Sequence, residues 1–136
     1  MKATSTTSPT KWDEKPYNEL PSPMRMTKAS VDFAFKGQLE GTAQTEYLMF
    51  YTEYDDKDPH KSTAFYLGLT RFTGTLSGKT GSFVMEERGS FGAGAANSTS
   101  TIVSGSGTEQ LKGITGNAKA TATQKGSQFE LDYRFT

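Results

Sequence analysis

The end of the chain limits the fold most. Over residues 127–135 the side chains of Phe129, Leu131, Tyr133 and Phe135 fall on one side of an extended backbone, and Glu130, Asp132 and Arg134 fall on the other. That period of two is the mark of a β-strand with one buried face. The rhythm recurs upstream, where Val31, Phe33 and Phe35 alternate with Asp32 and Ala34. Aromatic and β-branched residues come in short bursts separated by Gly, Asp, Asn or Ser, and blocks of Ala, Leu, Glu and Lys at helical spacing are missing. With 14 glycines among 136 residues, the chain reads as many short strands joined by turns.

Eight strands can be placed. The first covers residues 2–12, with Pro9 marking an edge or a bulge, and a polar loop follows over 13–23, where Pro16, Pro21 and Pro23 forbid a regular helix. The second runs 24–36 and turns at Lys36-Gly37 into a long third strand, 38–53. One face of that strand carries Leu39, Ala43, Tyr47, Met49 and Tyr51. The other carries Glu40, Thr42, Gln44 and Glu46, then Leu48 and Phe50, and the pattern leaves open which of them looks inward. A charged loop with Pro59 and the only histidine, His60, leads to the fourth strand, 63–76, which is apolar on both faces: Phe65, Leu67 and Leu69 on one, Tyr66 and Phe72 on the other. A strand apolar on both sides is buried on both sides. The outer face therefore needs a cover, and a homo-oligomer, dimer or trimer, is expected. The fifth strand (80–91), a small hydroxyl-rich sixth (96–103), a Gly-rich connection with at most one helical turn at 109–112, the seventh (117–123) and the eighth (127–135) complete the set.

Short connections between successive strands make a meander, and closure removes its exposed edges. The expected fold is all-β, a single domain over 1–136 forming a closed antiparallel eight-stranded up-and-down barrel. An open two-sheet sandwich is the alternative. A barrel of this size has a lumen filled by side chains or holding one small ligand.

Composition removes several function classes. Lys+Arg and Asp+Glu both number 15, which argues against a nucleic-acid partner and against docking on acidic membranes. The absence of cysteine excludes disulfides, thiolate metal sites and a cysteine nucleophile. The start, MKATSTTSPTKW, lacks the apolar stretch of a signal peptide, no run approaches membrane-spanning length, and a cytoplasmic location is expected. Asp55-Asp56-Lys57-Asp58 does not follow the calcium-loop pattern, and a lone loop histidine builds no catalytic triad. The glycines of SGSGTEQLKGITG fail the phosphate-loop spacing. No metal and no cofactor are expected.

The segments EYLMFY (residues 46–51), FYLGLTRFTGTLSGKTGSFVMEERGSF (65–91) and SGSGTEQLKGITG (104–116) resemble a bacterial family of unknown function whose barrel is like that of plant allene oxide cyclase. The opening MKAT, Trp12 and the ending LDYRF fit the same pattern. The resemblance implies an eight-stranded antiparallel barrel and no particular activity. Thr70 stands where the family often has Glu, and Glu87 where it often has His.

Ionisable residues on the central strands are the candidates for chemistry: Glu46, Arg71 and Glu87, with Glu86 and Arg88 beside them. Folding the fourth strand onto the fifth at Ser77-Gly78 brings Thr70 and Arg71 toward Glu86 and Glu87. Turned inward, such groups would be displaced in pKa and able to act as acid or base. Turned outward, they are ordinary cross-strand ion pairs. Consecutive Glu86 and Glu87 point to opposite faces. Tyr47, Tyr66, Phe83 and Tyr133, with Tyr51, are the candidates to line a pocket for a small apolar ligand. The residues leave three readings open: a small-molecule binding barrel, a cyclase- or isomerase-type enzyme using a lumen carboxylate or tyrosine, and a structural protein with a filled core.

Overall fold

The computed structural model describes residues 1–18 and 20–136. Eight strands close into an antiparallel barrel in sequence order: β1 (Lys2–Asn18), β2 (Arg25–Gly37), β3 (Leu39–Glu53), β4 (Thr63–Leu76), β5 (Lys79–Gly92), β6 (Ala95–Ile102), β7 (Ile114–Thr123) and β8 (Gly126–Phe135). Short 3-10 turns lie at Pro59–Lys61 and Glu109–Leu111. Among the described residues no helix is long and apolar enough to cross a membrane.

β1 departs from the sequence reading, which ended it at Trp12. It continues to Asn18, with Pro16 opposite Thr27 of β2. A free edge explains how prolines are tolerated there. β1 pairs with β8 only from Lys2 to Thr7, so its remainder has β2 on one side and no strand on the other. On such a free edge a missing N–H leaves no ladder bond unmade. The register slips between Pro9 and Lys11 and again between Pro16 and Asn18, the bulges that proline invites.

The two ends of the barrel differ. At one end Phe35, Phe72, Phe83 and Phe129 fill the interior, with ring centroids 5.4 Å apart for Phe35–Phe72, 5.1 Å for Phe35–Phe129 and 5.3 Å for Phe72–Phe83. The Gly-rich connection after β6 folds across this end. Its Thr108 and Ser106 hydroxyls accept from the backbone N–H groups of Ser82 and Val84 at 3.0 Å each, and Leu111 is driven fully into the core. At the other end the longer strands β1–β5 rise past the short β6–β8.

The inner wall is asymmetric as well. β6 and β7 send small side chains inward, Ser98, Ser100, Ala118, Ala120 and Ala122, whereas β3 and β4 send Tyr47, Met49, Tyr51 and Tyr66. Small residues facing large ones fill a barrel only where the large ones reach across. Above the phenylalanine layer they do not, and a lumen remains.

Outside, Leu48, Phe65, Leu67 and Leu69 are 40%, 41%, 46% and 58% exposed. The register pairs Leu48 with Leu67 and Phe50 with Phe65, so they form one continuous apolar patch on the outer wall of β3 and β4.

Candidate functional site

The lumen is a cavity of about 500 Å³, floored by Phe35, Met85 and Phe129 and rimmed by Trp12, Tyr54 and His60. That lies within the roughly 300–1,000 Å³ of small-molecule sites. A second depression, about 410 Å³, lies on the outer wall beside Phe65, Arg88 and Lys119. Arg88 and Lys119 are exposed there, as is most of its lining.

Two tyrosines on neighbouring strands are set in the same way. Tyr47 of β3 lies across Gly68 of β4 and donates its hydroxyl to Glu87 Oε1 of β5 at 3.0 Å. Tyr66 of β4 lies across Gly89 of β5, which the register pairs with Ser98 of β6. The glycines make this geometry. A Cβ at Gly68 would stand 2.7 Å from the Tyr47 ring, and one at Gly89 would stand 2.5 Å from Tyr66. Each ring covers a strand that has no side chain to offer, and the two rings meet edge-on at 5.3 Å.

Glu87 is the polar centre of the site. Its Oε1 also accepts from Thr70 Oγ1 at 3.3 Å, and Thr70 is tied to Thr45 at 2.8 Å. Thr70 and Glu87, the two departures from the family pattern, thus meet in one contact. Burial raises the Glu87 pKa above the ordinary carboxylate range, while the hydrogen bonds from Tyr47, Ser98 and Thr70 pull it down. The tyrosines shift with it. Burial first, and the Glu87 charge second, hold Tyr47 well above the usual phenol range and push Tyr66 up to about 12. Both phenols are therefore neutral donors at physiological pH.

A second carboxylate stands nearer the mouth. Glu14 of β1 accepts from Trp12 Nε1 at 2.9 Å, Thr27 Oγ1 at 2.6 Å and Tyr51 Oη at 2.7 Å. The Tyr51 phenol is raised above its usual range, by burial and then by Glu14. The sequence reading placed Glu14 in a proline-rich loop and missed it, whereas it brought Thr70 toward Glu87, and the two side chains are in contact at 3.3 Å.

The candidate residues separate into three groups. Tyr47, Tyr66 and Glu87 converge in the lumen. Glu46 and Arg71 do not: both are exposed on the outer wall, where Glu46 accepts from Ser30 Oγ at 2.6 Å. The register places Arg71 opposite Gln44 and Val84, and the alternation that turns Thr70 inward turns Arg71 out. Phe83 and Tyr133 are packed in the core at 0% and 7% exposure, and neither is among the residues lining the lumen. His60, read as a solvated loop residue, is exposed and stands on the rim.

Fold and site define a closed eight-stranded antiparallel barrel, sealed at one end, with a polar pair inside an aromatic lumen. The chain matches the family DUF3224, described as protein of unknown function, over residues 3–135, and it belongs to that family. A crystal structure of a protein of unknown function from this family, from Shewanella oneidensis MR-1, shares the fold with a TM-score of 0.76 at 22% identity, covering 100% of this chain and 98% of that one. No curated protein matches the chain.

Proposed function

We propose that this chain is a small-molecule binding barrel whose ligand enters at the Trp12–His60 end and stops above Phe35. The observation that carries the reading is the lumen of about 500 Å³, walled by aromatic rings with a few convergent polar groups. A protein with a filled core would not retain such a volume, because interiors pack close to the density of organic crystals. Native mass spectrometry on gently purified protein is expected to find a discrete added mass on each subunit. Ala120→Trp, which fills the lumen from its small wall, should remove it. A wild-type protein that is bare and also indifferent to a panel of apolar compounds would overturn the reading.

The second reading is a cyclase- or isomerase-type enzyme, in line with the resemblance to the allene oxide cyclase barrel. The Tyr47–Glu87 hydrogen bond favours it, since a half-buried carboxyl and a neutral phenol 3.0 Å apart can pass a proton to or from a bound substrate. Loss of turnover with retained binding in Glu87→Gln would separate it from the first.

We also propose that a second copy of the chain covers the outer patch. Exposed apolar patches of this kind mark interaction surfaces. The Leu67 row is flanked by the cations Lys28 and Arg88, and the Leu69 row by the acids Glu46 and Glu86. A two-fold axis across the strands lays the cationic row of one copy on the acidic row of the other, the self-complementarity that an isologous interface requires. Leu67→Glu is expected to convert a dimer to a monomer in light scattering. A wild-type monomer at high concentration would refute it.

A further inference from the structure

We infer that the ligand of the lumen is an amphipathic monocation, a protonated amine or quaternary ammonium carried on an apolar body; this rests on the binding-barrel reading above. The charge inventory of the lining is one-sided. The chain has 15 lysines and arginines, and none is among the described residues lining the lumen, whereas Glu14 and Glu87 both are. Among the described residues neither carboxylate forms an ion pair. Trp12, Thr27 and Tyr51 hold Glu14, and Tyr47 and Thr70 hold Glu87, all as uncharged donors. Such donors fix the carboxylate orientation and leave its charge available to a ligand.

The rest of the lining suits the same guest. Trp12, Tyr47 and Tyr66 offer aromatic rings to the lumen, while the Tyr54 ring at the mouth already carries the Arg25 guanidinium 3.9 Å from its centroid. Aromatic rings attract cations by their quadrupoles, most strongly where water is excluded. A fatty acid would bring a further carboxylate to a lining whose described residues include two glutamates and no lysine or arginine, and a neutral hydrocarbon would leave both acids unused. Burial keeps Glu87 prone to hold a proton when no cation is near, so a cationic guest should displace that proton on binding. The titratable groups facing Glu87 are Tyr47 from β3 and Tyr66 from β4, both protonated throughout the accessible range. Glu14, Tyr51, Tyr54 and the rim His60 complete the titratable lining.

The test is calorimetric titration of the full chain with three probes of equal chain length, each below its micelle concentration: decyltrimethylammonium, decanol and decanoate. The ammonium is expected to bind about tenfold more tightly than decanol, the order of a desolvated cation–π and ion-pair gain, with decanoate weakest. Its affinity should rise with pH, with a proton release that shows as a buffer-dependent enthalpy. Glu87→Gln should abolish that release and reduce the ammonium preference without weakening decanol, and Glu14→Gln should reduce the preference independently. If decanol or decanoate binds as well as the ammonium, the inference fails and the binding barrel stands. If none of the three binds, both fail.

Discussion

Phe83→Ala is expected to lower the unfolding free energy by about 3–5 kcal/mol, the range for deleting a fully buried phenylalanine ring. Phe83 is 0% exposed, lies 5.3 Å from Phe72 and belongs to the sealed core beneath the lumen. The site cannot collapse to refill the space. Its backbone is fixed in register with β4, where Phe72 and Phe83 are direct partners, and the wall around it is continuous sheet. Against a total stability of roughly 5–15 kcal/mol for a domain of this kind, such a loss will show as a large fall in the urea midpoint at an unchanged slope. The lumen lies above the phenylalanine layer, so any ligand affinity should survive in the fraction that remains folded. The opposite pattern, a loss below about 1 kcal/mol with altered binding, would mean that Phe83 lines the site after all.

Phe83 also marks where periodicity stops informing. Alternation tells which residues share a face, and it did so for β8, for β4 and for the opposed Glu86 and Glu87. It does not tell how far along the barrel axis a residue sits, and that depth separates Phe83 and Tyr133 in the core from Tyr47 and Tyr66 in the lumen. β3 exposes a second limit. Its two faces both carry apolar residues, and the outward set, Leu48 and Phe50, is apolar because it packs beside Leu67 and Phe65 on the outer wall. Only closure decides that this set is outside, and it carries Glu46 with it. Glu14 was hidden for a different reason. Proline is a sound stop signal for a central strand, but the second half of β1 is an edge, so Pro16 ends nothing. The cavity itself left a trace in the sequence: Ala118, Ala120 and Ala122 alternate with Asn117, Lys119 and Thr121, a strand whose inward face is too small to fill a barrel.

Glu87→Gln is expected to stabilise the protein at neutral pH and to flatten its stability profile on the acid side. The unfolded chain ionises its glutamates near pH 4.3. In the fold the Glu87 pKa lies higher, because burial disfavours the charge more than Tyr47, Ser98 and Thr70 favour it. Between the two values the folded protein holds a proton that the unfolded chain has released. Stability therefore falls as pH rises through that window, by up to about 1.4 kcal/mol for each pH unit from this group, and levels off above the folded pKa. Glutamine is isosteric, accepts the Tyr47 hydroxyl and has no proton to exchange. Variant and wild type should thus be close below pH 4, where both side chains are neutral, and diverge as the pH rises, with the variant the more stable. Tyr47 and Tyr66 stay protonated across the range, and every other titrating group is common to both proteins and cancels in the difference. Thermal unfolding of the pair at a series of pH values between about 3.5 and 8 reads it directly. Parallel profiles would mean that Glu87 ionises in the fold as it does in the unfolded chain, and a wild type more stable than the variant at neutral pH would mean that its charge is compensated by a partner.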